Sequence, residues 1–118
     1  MFSLHAHQKY YLYAEPTDMR KGFNGLSGIV RNALKKDPLS GEVFLFVNRR
    51  KDRMKVLVWE RGGFVLYYKL LEQGTFQLPS GSGTSLAITW HDLTLILEGV
   101  ELASVKKRKR YSLSKVEK

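Results

Sequence analysis

The five residues Val43-Phe44-Leu45-Phe46-Val47 are apolar at every position. A strand points alternate side chains to opposite faces, so Val43, Leu45 and Val47 share one face and Phe44 and Phe46 the other. Both faces need cover, which marks a central strand buried on both sides.

Asn48-Arg49-Arg50-Lys51-Asp52 is a polar connection out of this strand. Arg53–Glu60 alternates again, with Met54, Val56 and Val58 on one face and Lys55, Leu57 and Trp59 on the other. Arg61-Gly62-Gly63 supplies a tight hairpin turn, and Phe64–Leu71 completes a three-stranded meander. Glu72-Gln73-Gly74 turns the chain into a short strand over Thr75–Leu78, ended by Pro79. Ser80-Gly81-Ser82-Gly83 reads as a flexible link and Leu86-Ala87-Ile88 as one more strand. Thr89-Trp90-His91-Asp92 has the form of a capping box, followed by a short helix with Leu93, Ile96 and Leu97 inward and Gly99 as its stop.

On the other side of the central strand, Lys9-Tyr10-Tyr11-Leu12-Tyr13 reads as an aromatic strand ended by Pro16 and Thr17. Asp18 is a good N-cap for a helix over Met19–Lys36, along which Met19, Phe23, Leu26, Ile29, Val30 and Ala33 form one apolar stripe. Gly22, Gly25 and Gly28 weaken that helix by about 1 kcal/mol each relative to alanine, so packing must carry it. Lys35 and Lys36 suit the negative end of its dipole. The expected fold is α+β: an antiparallel β-meander sheet packed by one long N-terminal helix and one short C-terminal helix, with a basic C-terminal tail. Residues 1–103 make a single domain and residues 104–118 the tail.

The chain has 118 residues, 43% hydrophobic and 26% charged, ordinary for one globular domain and too short for a large multidomain enzyme. With 20 basic and 11 acidic residues the net charge is 20 − 11 = +9. Seven bases and one acid fall in residues 104–118, for +6, against +3 for the rest. A basic tail on a nearly balanced body points to a polyanion partner. There is no cysteine, which removes thiolate chemistry and favours an intracellular setting. The N-terminal residues lack a signal-peptide pattern, and no apolar run approaches a membrane span, so a cytoplasmic location is expected, with nucleoid association if DNA is bound.

No catalytic constellation emerges. His5-x-His7 has no carboxylate pattern beside it, His91 falls in the first turn of the short helix, and the acids are scattered singly. Ser80-Gly81-Ser82-Gly83-Thr84 lacks the lysine of a phosphate-binding loop. The phenylalanines and tyrosines at Phe44, Phe46, Phe64, Tyr67 and Tyr68 read as core. No cofactor and no metal are expected.

Two basic clusters remain. Asn48–Lys55 holds Arg49, Arg50, Lys51, Arg53 and Lys55, whose long side chains would fan from a hairpin tip toward phosphates. Lys106, Lys107, Arg108, Lys109 and Arg110 are consecutive and followed by Tyr111, which can stack on a base.

The blocks Asp18-Met19-Arg20-Lys21-Gly22-Phe23-Asn24-Gly25-Leu26, Asp37-Pro38-Leu39-Ser40-Gly41 and Val43–Lys55 closely resemble the accessory protein of the insertion sequence 66 family, the TnpB-type product of the element's second open reading frame. The likeness continues through Val58-Trp59, Gly63-Phe64, Tyr68-Lys69 and Leu71–Phe76, and covers about residues 8–79. The chain is far too short for the RNA-guided nucleases that share the TnpB name. The resemblance implies a bacterial mobile element whose separate, larger transposase carries strand transfer. It assigns no catalytic residue, and it singles out the Asp18–Lys21 and Asn48–Lys55 blocks as the most recognisable charged motifs.

The expectation is therefore a non-catalytic accessory protein of transposition that binds DNA, either the element's ends or any duplex. Arg49, Arg50, Lys51, Arg53 and Lys55 would form one contact surface. Arg20 and Lys21, placed at the start of the long helix where its dipole favours phosphate, would extend that surface. The expected partners are DNA, the transposase and other proteins of the same element, with no membrane; a homo-oligomer is left open. A different class of reading is an interaction module that assembles transposase subunits with little DNA contact. Its motive is that one helix cannot easily cover both faces of the Val43–Val47 strand, which leaves the second face to a barrel-like return of the N-terminal strand or to a partner chain.

Overall fold

In the computed structural model, which describes residues 4–98, the Val43–Val47 strand has every residue buried. In chain order the elements are β1 (Tyr10–Tyr13), α1 (Phe23–Asn32), β2 (Val43–Val47), β3 (Arg53–Glu60), β4 (Gly63–Leu70), β5 (Ser85–Ile88) and α2 (Trp90–Leu97). They form a five-stranded sheet in the order β4-β3-β2-β1-β5, with β2 at its centre. The α+β class stands.

Three details differ from expectation. First, the sheet is mixed: β1 pairs with β2 in parallel, Tyr10 opposite Val43 and Leu12 opposite Leu45. The reason is the helix between them, which returns the chain to the end where β1 began, as parallel neighbours require. The other pairings, β2–β3, β3–β4 and β1–β5, are antiparallel. Second, α1 is shorter than Met19–Lys36. The Asp18 carboxylate accepts from the Arg20 backbone N–H at 2.9 Å, and the Lys21 N–H closes on the Asp18 carbonyl at 3.1 Å, so Asp18 caps a turn and not a helix. Gly22 is the N-cap, with no side-chain cap bond. At the far end Lys35 takes a left-handed φ of 58°, and Lys36 lies beyond the helix with its ammonium 4.0 Å from the Tyr11 ring centre. Third, the segment Thr75–Leu78 is not a strand, although the Phe76 side chain within it is buried.

Each face of the sheet has its own cover. Leu26, Val30 and Leu34, from α1 and the turn after it, pack on Phe44, Phe46 and Leu57. Opposite, Leu93 and Ile96 of α2, together with Phe76, pack on Val43, Leu45, Val47, Met54, Val56 and Val58. So the chain itself covers the second face of β2. The α2 start has the expected capping box: Thr89 Oγ1 accepts from the Asp92 N–H at 3.0 Å, and the Asp92 carboxylate accepts from the Thr89 N–H at 3.3 Å. The expected stop at Gly99 and the tail at 104–118 lie outside the described residues.

Candidate nucleic-acid interface

The β2–β3 connection is built by one asparagine. Asn48 Oδ1 accepts from the backbone N–H groups of Asp52 and Arg53, both at 3.0 Å, while its Nδ2 donates to the Asp52 carboxylate at 2.7 Å. Lys51 takes a left-handed φ of 62° to turn the loop. With its base clamped, the loop presents Arg49, Arg50 and Lys51 to solvent. Asn48 donates to the Asp52 carboxylate and so lowers its pKa, with help from the charges of Arg50 and Arg53. Arg53 is exposed at the start of β3, and its Nη1 donates to the Tyr68 hydroxyl at 3.3 Å.

The Asp18–Lys21 block lies alongside. The Thr17 N–H donates to the Val47 carbonyl at 2.8 Å, which joins this segment to the end of β2. Between the two motifs lies an open cleft of about 490 Å³, lined by Pro16, Thr17, Asp18 and Met19 on one side and Asn48, Arg49, Arg50 and Arg53 on the other. Of the two charged blocks, the cleft thus brings together Asp18 and Met19 with Asn48, Arg49, Arg50 and Arg53, while Lys51 lines a separate pocket with Leu12, Tyr13 and Leu78.

Three of the expected contact residues are placed differently from expectation. Lys55 is only 8% exposed and does not join an outward fan. Its ammonium donates to the main-chain carbonyls of Met19 at 2.7 Å and Lys21 at 2.9 Å, and stands 4.7 Å from the Tyr68 ring centre. It sits on the β3 face shared with Leu57, beneath the segment that precedes α1, where a lysine must end on backbone acceptors or be stranded. Arg20 and Lys21 do not begin the helix, which starts at Phe23, so its dipole is no argument for phosphate at either. Arg20 instead grips Asp18, its Nη2 2.7 Å from one carboxylate oxygen and its Nε 3.1 Å from both. That charge-assisted pair, with the Arg20 N–H, holds the Asp18 carboxyl down at about 2. Lys21 is exposed.

Tyr68 is the site residue that sequence reasoning misplaced. Phe44 and Phe46 are buried as expected, but Tyr68 is 48% exposed, because β4 is the edge of the sheet and α1 lies over β2 and β3. The available signal was its place opposite Lys55 in the β3–β4 register, one strand out from the core. The residues Lys106, Lys107, Arg108, Lys109 and Arg110 lie outside the described residues.

Among the described residues, no group of three histidine, aspartate or glutamate side chains is placed to hold a metal ion. No helix there is long and apolar enough to cross a membrane.

The chain is similar to two proteins of Sinorhizobium fredii (strain NBRC 101917 / NGR234). It is 34% identical to uncharacterized protein y4jC over 94 residues, 80% of each chain. It is 40% identical to uncharacterized protein y4hO over 86 residues, 72% of this chain and 74% of the relative. No solved structure matches it significantly. The model of the IS66 Orf2-like family matches residues 8–107, so it takes in the whole sheet, both helices and the charged cleft, and the chain belongs to that family of insertion-sequence accessory proteins.

Proposed function

We infer that this protein assists transposition of its element without catalysing it, by binding DNA through the basic hairpin at residues 49–53 and the basic tail. The observation that carries the reading is the cleft in which Arg49, Arg50 and Arg53 converge. The nearby carboxylates are already engaged: Asp18 by Arg20, and Asp52 by Asn48. The three guanidiniums therefore offer most of their donors outward, in the fork geometry that suits phosphate. The separate transposase of the same element would supply the chemistry and act as a protein partner.

The interaction-module reading loses its motive, since α2 and Phe76 cover the sheet face that was expected to need a partner.

The test is a titration of the full chain against the element's terminal inverted repeats and an unrelated duplex of equal length. Binding that weakens at least tenfold in an Arg49→Ala/Arg50→Ala variant supports the reading. A wild-type chain that binds neither duplex nor the separated strands of either, or a variant that binds as well as wild type, overturns it.

A further inference from the structure

Beside the arginine cleft, and outside it, stands an aromatic side chain that the core does not use. Tyr68 is 48% exposed on the edge strand β4. Its hydroxyl accepts from Arg53 at 3.3 Å, and Arg53 lines the cleft, so the ring is fixed one residue away from the guanidinium cluster. The buried ammonium of Lys55, from the inner neighbouring strand, stands 4.7 Å from the ring centre. Among the described residues no further strand flanks β4 on its outer side. With Tyr68 48% exposed, the ring keeps surface that neither Lys55 nor a neighbouring strand takes up. Leu70, 46% exposed and two residues along the same face, extends the apolar surface.

A ring held in place at both its hydroxyl and one face loses little conformational freedom when something stacks on the other. Phosphate-binding guanidiniums next to an exposed aromatic are the pairing that single-stranded nucleic acids use: the cations follow the backbone and the ring takes a base. A duplex must first be unstacked to use the ring, because its bases are already stacked on each other.

We propose that Tyr68 is a stacking platform for an unpaired base, and that the preferred ligand of this surface is a single-stranded or unpaired segment of nucleic acid whose phosphates lie in the Arg49–Arg50–Arg53 cleft. This rests on the nucleic-acid reading above and narrows it from any duplex to strands with open bases.

The experiment uses the full chain and a mixed-sequence strand of about twelve nucleotides carrying one 2-aminopurine, whose fluorescence falls when it stacks. The deoxyribose strand, the same strand annealed to its complement, and the ribose strand are titrated in parallel. The variants are Tyr68→Leu, Tyr68→Phe and Arg49→Ala/Arg50→Ala, each first shown to melt cooperatively. Stacking predicts that wild type binds the single strand more tightly than the duplex and quenches the probe. Tyr68→Phe keeps the quench. Tyr68→Leu loses it, and weakens single-strand binding about tenfold while changing duplex binding less than twofold. The arginine variant weakens both forms. Whichever of the deoxyribose and ribose strands binds more tightly with that Tyr68 dependence identifies the kind of strand, and either supports the platform. If Tyr68→Leu changes both forms equally or neither, while the arginine variant still weakens both, the platform is overturned and the nucleic-acid reading stands. If wild type binds no form, or the arginine variant binds all of them unchanged, both fall together.

Discussion

The ammonium of Lys55 donates to the main-chain carbonyl of Met19 at 2.7 Å, across 36 residues of sequence. With its second bond to Lys21, this one side chain fastens the segment before α1 onto β3 and sets one wall of the charged cleft. Among the described residues its charge has no carboxylate partner; two carbonyl dipoles and the Tyr68 ring take that part.

Replacing Lys55 by methionine keeps the bulk and removes both bonds. It should lower stability by about 2 kcal/mol, since two carbonyls lose a charged donor. The measurement is the urea midpoint at unchanged m-value. The same variant should leave the salt dependence of DNA binding unaltered, because the ammonium faces inward. A stability equal to wild type would remove the clamp from the account.

Asp18 gives a pH signature. Its carboxyl sits at about 2 against a usual 3.8, chiefly through the side-chain bond from Arg20. A lowered folded-state value means that the pair's contribution is complete above the unfolded carboxylate range. It is lost as pH falls from about 4 toward about 2. The pair is exposed, so the effect on global stability is small. The direct measurement is the carboxyl-carbon shift of Asp18 on acid titration, with a midpoint near 2 in wild type. Arg20→Gln should move the midpoint up toward 3.8. A midpoint near 3.8 in wild type would dissolve the pair.

The β3–β4 hairpin closes on two residues with positive φ, Arg61 at 53° and Gly62 at 81°. That is the two-residue turn whose best sequence is Asn-Gly. Arg61→Asn should therefore raise stability by roughly 0.5–1 kcal/mol, and Gly62→Ala should lower it by about 1–2 kcal/mol. Thermal melts of the two variants should bracket wild type, and equal midpoints for all three, or the reverse order, would refute the assignment of the turn.

Gly28 lies inside α1 with an ordinary backbone, and a methyl group there would meet nothing within 4 Å. Gly28→Ala should stabilise by close to 1 kcal/mol, a rise in Tm of roughly 4 °C or more. At Gly25 the added carbon would stand 3.1 Å from Lys21 Cβ, so the gain at Gly25→Ala should be smaller. Equal gains at both sites would show that the Lys21 side chain gives way freely.

The tail can be tested by salt. Five clustered cations that neutralise about five phosphates give a slope of log K against log salt near −4.5. Deleting residues 104–118 should flatten the slope by about that amount, and any preference for the element's ends should survive in the remaining binding. A slope unchanged by truncation would take the tail out of the interface.

The sheet core was legible because its signals are local. Val43–Val47 could only be a doubly covered strand, and Met54, Val56 and Val58 face the cluster that the alternation assigns them. The capping box at Thr89 and Asp92 is a four-residue pattern and reads directly. What failed depends on neighbours distant in sequence. Alternation puts Lys55 on the face of Leu57, but nothing nearby says that the carbonyls of Met19 and Lys21 will be waiting there. Asp18 has the right chemistry for a cap, yet Gly22, which weakens a helix interior, sits where the helix begins. The direction of β1 is invisible in its own four residues, because it is decided by the length and handedness of the connection through α1. Tyr68 reads as core until β4 is known to be the edge.

The strand order also sets the sequence in which the chain can assemble. β2, β3 and β4 are neighbours both in sequence and in the sheet, so this half draws on short-range pairings. β1 is made first, yet one edge must wait for Val43 to pair with Tyr10, and the other for Ile88. On a ribosome, Tyr10–Tyr13 therefore emerges as an orphan aromatic strand, gains its first partner when Val43–Val47 follows, and keeps its other edge open until nearly the whole described domain has been synthesised. Non-local pairings of this kind come late and slowly. The interval before β5 arrives is the stage at which a nascent chain is most exposed to mispairing with its neighbours on the same message.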